Sequence, residues 1–327
     1  MRPELINLGT RLPAKTRNNG HSPKFETDYN VIGLRGVPFS HQDLYFFKEL
    51  HPHIGNTFQS GSEHSVDGNF KPMEIHMVFW NSNYRDIEHA KSKPRGLAVI
   101  GVNVEVGDPA DDIYVEEQEK YNPLPPQHIY NKCTCTNDFF YGHVCRQLGL
   151  CRCSSDKDCP FGGKCRSLGR VPYCGKPHTC RVRYAHKFSQ LAEKYFPLIE
   201  FPEKHASHRG EMRYLQVPEG VTPEDALPYD GGFYTYRGSL TTPPCFETVQ
   251  WIMMRCPIKV SRAAYHALAM MRDVRGNFLS RDGVKRPIQR GLPGFPPIQV
   301  YRNFLWETTG KEVPFYDVSE IQKNNVY

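Results

Sequence analysis

The stretch ELHPHIG, Glu49 to Gly55, sets two histidines one residue apart with a proline between them. In an extended chain, residues i and i+2 point to the same face, so Glu49, His51 and His53 line one side of a strand. Proline donates no ladder hydrogen bond, which predicts a strand that is locally unpaired or bulged around Pro52. A second run, MEIHMVFWN (Met73 to Asn81), places Glu74, His76, Val78 and Trp80 on one face. The segment between them, NTFQSGSEHSVDGNFKP, carries Gly-rich and Asp-Gly turn signals that suit an antiparallel return. Pairing the two runs brings His76 beside His51 and His53. Three imidazoles with an open fourth position are the arrangement of a catalytic zinc site. The same residues also read as the polar rim of a strand, because 14 histidines make chance spacings easy. Glu49 and Glu74 are placed to accept the outward N–H of ligating imidazoles, and are equally ordinary on a solvated face.

Working outward, strand-like runs recur at VIGLRG, DLYFFKEL, LAVIGVNVEV, FYTYRGSL and ETVQWIMM, punctuated by Gly, Pro and Asn. Helical patterns cover AHKFSQLAEKYF (185–196) and SRAAYHALAMMRDV (261–274). The composition changes between residues 108 and 180. An acidic lead-in (Asp108, Asp111, Asp112, Glu116, Glu117, Glu119) runs through YNPLPPQH into a segment holding nine of the 11 cysteines, Cys133 to Cys180. The simplest organisation is one mostly β domain with peripheral helices over 1–327, interrupted by an inserted module at 108–180. That cysteine density reads as a disulfide framework, which persists in oxidising compartments. CTC and CRC offer thiolates to zinc, but the C-x2-C pairs of structural zinc modules are missing. The odd total leaves at least one cysteine without an internal partner.

Composition narrows the function classes. With 39% hydrophobic and 12% aromatic residues in 327, a sizeable core is affordable. The net charge of +6 is spread without a dense basic block, which argues against nucleic-acid binding. No apolar run reaches the roughly 18–20 residues of a membrane helix. The start, MRPELINLGTRLPAK, has no apolar core of a secretory signal, although the cysteines point to an extracellular protein. A fragment whose true start is missing reconciles the two.

GSLTTPPCFETVQW (Gly238 to Trp251), with NNGH (Asn18 to His21), GSEHSVDG (Gly61 to Gly68) and EIHMVFWN (Glu74 to Asn81), all in this order, closely resembles the α-class carbonic anhydrases. The resemblance covers nearly all of the chain outside the insertion. Within the family, SGSEHSVDGNFKPMEIHMVF, CRVRYAHKFSQL and TPEDALP look like the nacrein branch of mollusc shell-matrix proteins, which also carry an insertion here. It implies an α+β architecture: a central twisted, mainly antiparallel sheet with peripheral helices and a conical cleft ending at zinc. It also implies that Zn2+ is held by His51, His53 and His76, and that His21 shuttles protons. Thr241 corresponds to the threonine that orients the nucleophile and Glu63 to the glutamate accepting that threonine's hydrogen bond. Thr242 adjoins the substrate. The resemblance further implies that Val78, Val99, Leu240 and Trp251 form the apolar wall that receives carbon dioxide. Glu49 and Glu74 back the zinc ligands, Glu49 where the family has an amide.

The chemistry fits these residue types. Zinc lowers the pKa of water to about 7, supplying a nucleophile without a strong base. Neutral imidazoles leave the metal's charge largely uncompensated, and a histidine titrating near neutrality suits proton export. Several departures stand out. Pro52 and Ile54 replace bulkier neighbours of the histidine pair, a charged Glu49 raises ligand basicity more than an amide does, and Phe79 stands where vertebrate members often have another histidine. The family's segment ahead of NNGH, which in secreted members carries the partner of the cysteine after TTPP, is mostly absent. Cys245 is therefore expected to be unpaired here and bridged in a full-length protein. The insertion lacks the Gly-x-Asn repeats of nacrein. The resulting expectation is a secreted, shell-matrix carbonic anhydrase interconverting carbon dioxide and bicarbonate, with calcium, calcium carbonate mineral and other matrix proteins as possible partners. The rival is a scaffold that binds calcium or mineral with weak or no catalysis.

Overall fold

The computed structural model describes residues 3–57, 59–66, 69–108, 151–152, 165–168, 171–174, 182–202, 214–229, 231–282, 285–287, 289 and 299–301. The chain forms two compact units, residues 1–108 with 181–327, and residues 109–180. Strands in the first unit are β1 (Glu4–Ile6), β2 (Leu12–Asn18), β3 (Pro23–Glu26), β4 (Gly33–Arg35), β5 (Tyr45–Ile54), β6 (Met73–Asn81) and β7 (Leu97–Val106). The second unit contains β8 (Cys151–Arg152), β9 (Cys165–Leu168) and β10 (Val171–Cys174), an antiparallel sheet ordered β8–β10–β9. The first unit resumes with β11 (Arg183–Tyr184), β12 (Leu215–Val221), β13 (Phe233–Gly238), β14 (Val249–Met254), β15 (Ile258–Val260) and β16 (Gln299–Tyr301). The acidic run beyond Asp108 and most of the cysteines expected to form a disulfide framework lie outside the described residues. Of the two remaining cysteines, Cys256 is disulfide-bonded and Cys245 is free.

Among the described residues, thirteen strands of the first unit join one sheet, whose main path is β12–β2–β3–β5–β6–β7–β14–β13–β16. The sheet is mainly antiparallel, with parallel pairing of β7 to β14, β7 to β15 and β11 to β15. Among the described residues, four short α-helices accompany it: α1 (Ile87–Ala90), α2 (His186–Tyr195), α3 (Arg262–Ala269) and α4 (Leu279–Asp282). Helix α2 buries Phe188, Leu191, Ala192 and Tyr195, the i, i+3, i+4, i+7 stripe of an amphipathic helix. Helix α3 starts at Ser261, whose hydroxyl caps Ala264 N–H. It ends at Ala269 rather than continuing through Val274. Arg272 N–H turns aside to Glu200 O, and the Asp273 carboxylate captures the N–H groups of Arg275 and Asn277 in a local turn.

Period-two alternation decides where the core and the cleft lie. Ile75, Met77 and Phe79 of β6, with Ala98, Ile100, Val102 and Val104 of β7, enter the main core. That core also receives α2 and Phe47, whose ring lies 5.5 Å from Phe79. Burying each such side chain contributes about 1.5–3 kcal/mol, so the register is strongly held. On the opposite face, Val78, Trp80, Leu97, Val99, Trp251 and Met253 make a separate apolar cluster. A shift of one residue would exchange the two sets.

Pro52 does not bulge or interrupt β5; the loss of pairing expected around it falls only on the β3 side. Strand β5 runs unbroken to Ile54, with Pro52 opposite Ile75, and the irregularity in its pairing with β6 falls between Phe47 and Glu49. The reason is tertiary. In an antiparallel strand the N–H and C=O of one residue point to the same side. The Pro52 carbonyl accepts the Ser22 hydroxyl, on the side of β3. Pairing of β3 with β5 ends at Leu50, so the ladder asks for no N–H from residue 52. Pro52→Ala is therefore expected to gain no hydrogen bond and to lose about 0.4–1 kcal/mol through a freer unfolded chain. Urea unfolding checks the sign; a more stable variant would contradict this account.

Candidate metal centre

The sheet register assembles the site in three cross-strand rows. Glu49, Val78, Val99, Trp251 and Tyr236 stand opposite one another on β5, β6, β7, β14 and β13. The next row is His51, His76, Gly101, Met253 and Tyr234, and the third is His53, Glu74 and Asn103. Glycine at 101 leaves room for its neighbours: a Cβ there would meet Met253 Sδ at 2.2 Å and Glu74 Oε1 at 3.3 Å.

His51, His53 and His76 offer ring nitrogens that all lie within 4.8 Å of one another. Two of those nitrogens, His53 Nε2 and His76 Nδ1, face Glu63 Oε2 at 3.6 and 3.8 Å. The outward nitrogens of His76 and His51 face carboxylates. His76 Nε2 is 2.6 Å from Glu74 Oε1, and His51 Nδ1 is 3.0 Å from Glu49 Oε1, close but off-line for a full hydrogen bond. Burial lowers the His53 imidazolium to about 4, despite the Glu63 charge, so its ring is neutral and able to donate to a metal near pH 7. Three converging imidazoles with carboxylates beside them fit zinc, which takes imidazole nitrogens as ligands.

The carboxylates are held ionised by their neighbours. Burial would raise Glu74, but His64 and His76 bring it well below the usual carboxylate range. Burial would likewise raise Glu63; His53, His76 and a hydrogen bond with Thr241 lower it instead. Burial opposes ionisation of Glu49 too, and His51 with the Lys24 ammonium overcomes it.

These groups have a consequence for stability that runs in two directions. His53 is depressed when folded, so below its unfolded value of about 6.5 the unfolded chain binds more protons and stability falls toward pH 4. The depressed carboxylates add to that loss below about 4.3. His64 is raised by Glu74 in spite of burial, so its contribution is complete below about 6.5 and is lost as pH rises through its folded value. Urea midpoints of metal-free protein are expected to peak near pH 6.5 and to fall on both sides. A midpoint that rises steadily down to pH 4.5 would refute this.

A cavity of about 460 Å³ opens over the three histidines. His21 and Glu49 line it, as do Val78, Val99 and Trp251 of the sheet and Leu240, Thr241 and Thr242 of the SLTTPP loop. Glu74 backs His76, and Glu63 faces the inward nitrogens of His53 and His76. The loop is pinned by Trp251 Nε1–H to Ser239 O, Leu240 N–H to Phe246 O and Cys245 N–H to Thr242 O, and holds a cis Pro243–Pro244 bond. His21 is exposed at the cavity's edge. Its backbone is fixed: Asn19 Oδ1 accepts from His21 N–H and Ser22 N–H, each at 2.9 Å, and Gly20 takes a positive φ of 84°.

Three residues of the site escaped the sequence reading. His64 donates its backbone N–H to Glu74 Oε2 at 2.8 Å, sets Nδ1 2.7 Å from Glu74 Oε1 and turns Nε2 to the Tyr236 hydroxyl. Burial and the nearby Glu74 and Glu63 charges raise the Tyr236 phenol, keeping it neutral. Lys24 Nζ lies 2.8 Å from both Glu49 Oε2 and Glu26 Oε2. The sequence signal for His64 was its place beside Glu63 in GSEH. Lys24 carried none, being one charged strand residue among many.

The family model for eukaryotic-type carbonic anhydrase matches residues 4–123 and 192–290. A nacrein-like protein of Mytilus californianus is 35% identical over 338 residues, covering 91% of this chain and 86% of its own. Nacrein of Pinctada fucata is 28% identical, covering 93% of this chain and 77% of its own. The N66 matrix protein of Pinctada maxima is 38% identical over 132 residues, 38% of this chain. The chain belongs to the eukaryotic-type carbonic anhydrase family.

Proposed function

We propose that this protein catalyses the zinc-dependent, reversible hydration of carbon dioxide to bicarbonate and a proton, and that it works in an extracellular, calcifying shell matrix. The observation that carries the reading is the convergence of His51, His53 and His76 within 4.8 Å, at the floor of a cleft with one apolar wall. The setting is supported by the nacrein-like relatives and by a relative named as a matrix protein.

When bound to the three histidines, zinc supplies the acidity that makes water a nucleophile near neutral pH. The chain does the rest. Glu63 accepts the Thr241 hydroxyl's proton in a hydrogen bond, which leaves the Thr241 oxygen free to accept and so to orient the nucleophile. Val78, Val99, Leu240 and Trp251 hold carbon dioxide against an apolar surface that offers bicarbonate no ion pair, which favours release. His21, exposed beside the cavity, carries the proton to solvent.

The test is zinc content and carbon dioxide hydration measured on the same preparation. One zinc per chain with hydration is expected, and Thr241→Ala should keep the zinc while losing about 100-fold in kcat/KM. Protein that takes up no zinc and gives no hydration would end this reading and leave the mineral-binding scaffold as its replacement.

A further inference from the structure

Resting on the zinc reading above, we propose that Lys24 sets the zinc affinity of the site by compensating the charge of Glu49, so that the two opposite charges work as one neutral pair beside the metal. Lys24 is on β3 and Glu49 on β5, in adjacent strands whose register sets Phe25 opposite Leu50 and Glu26 opposite Glu49. The Glu49 carboxylate divides its oxygens: Oε1 lies 3.0 Å from His51 Nδ1, and Oε2 lies 2.8 Å from Lys24 Nζ. The Lys24 and Glu49 side chains are only 13% and 16% exposed, so their charges are weakly screened and both reach the histidine cluster.

Lys24 is itself fixed from the far side by Glu26 Oε2 at 2.8 Å. The Glu26 charge is in turn shared with Lys15 at 3.6 Å and Arg17 at 3.7 Å. The ammonium is thus a clamped part of the cleft wall rather than a loose surface lysine. Its effect is to cancel the negative charge that the Glu49 carboxylate brings beside His51. Each member alone changes the field at the metal in the opposite sense: the carboxylate attracts a dication, the ammonium repels it. A proton competing for His51 carries half the charge of zinc, so the field acts more strongly on the metal and the sign is preserved.

Opposite signs are what a packing role cannot produce. Zinc dissociation constants by chelator competition on the full chain are expected to rise about 10-fold in Glu49→Gln. In Lys24→Met they should fall about 3-fold or more. Lys24→Arg and the double variant Lys24→Met/Glu49→Gln should both lie within about 3-fold of wild type. Metal-free protein offers a second readout. Its urea midpoint should drop in Lys24→Met, which strands a buried carboxylate, and recover when Glu49→Gln is added. Wild type that binds zinc, with both single variants weakening it and the double variant showing their sum, overturns this proposal alone. Wild type without zinc overturns it together with the metal reading.

Discussion

Replacing His76 with alanine is expected to remove zinc from the protein and carbon dioxide hydration with it. His76 Nδ1 is one of two nitrogens that converge under Glu63, and its side chain is 2% exposed. Two histidines remain, which is below the three-ligand minimum of catalytic zinc sites. Loss of an outer hydrogen-bond partner alone costs roughly 10–100-fold in metal affinity, and loss of a ligand must exceed that. Dialysed His76→Ala is therefore expected to hold little zinc and to show background hydration. His76→Gln separates metal loss from misfolding, because its amide can still donate to Glu74 while being a poor zinc ligand. A His76→Ala protein that retains stoichiometric zinc and full activity would remove this residue from the metal centre.

Glu74→Ala is the substitution expected to cost most in stability. The side chain is fully buried. It receives His64 N–H at 2.8 Å and contacts His64 Nδ1 at 2.7 Å and His76 Nε2 at 2.6 Å. Deleting it leaves a backbone donor, the buried His76 ring and the half-buried His64 ring without that acceptor. Removing one member of such a buried charged group costs about 3–5 kcal/mol. Zinc affinity should fall about 10–100-fold, because His76 loses the partner that fixes its tautomer and orientation. Urea unfolding reads the first effect and chelator competition the second. Glu74→Gln, which keeps the volume and one acceptor oxygen, is expected to lose less of both. Unchanged zinc affinity in Glu74→Ala would mean that the network supports the fold without tuning the metal.

Much of this site was legible because its information is local. Alternation along ELHPHIG and MEIHMVFWN assigns side chains to faces with no knowledge of the rest of the chain, and β5, β6 and β7 appear where that pattern places them. The four ordered motifs likewise pointed to a family that the family model and the relatives show. The helix ending at Ala269 was misjudged because Glu200 and the Asp273 turn compete for its next residues, a contest between distant and local partners.

What the sequence by itself determined is which residues face the cleft and which chemistry they carry: three imidazoles, two backing carboxylates, an apolar wall and the SLTTPP loop. Tertiary structure decided the rest through register. It set His51 opposite His76, ended β3 before Pro52 so that the proline costs no hydrogen bond, and brought Tyr236 to His64 across 172 residues of chain. It also placed Lys24 against Glu49, turning a charge that looked perturbing into half of a neutral pair. The physical reason is that strand pairing is a long-range choice: the energy that selects it comes from two buried faces at once, and no single segment contains both.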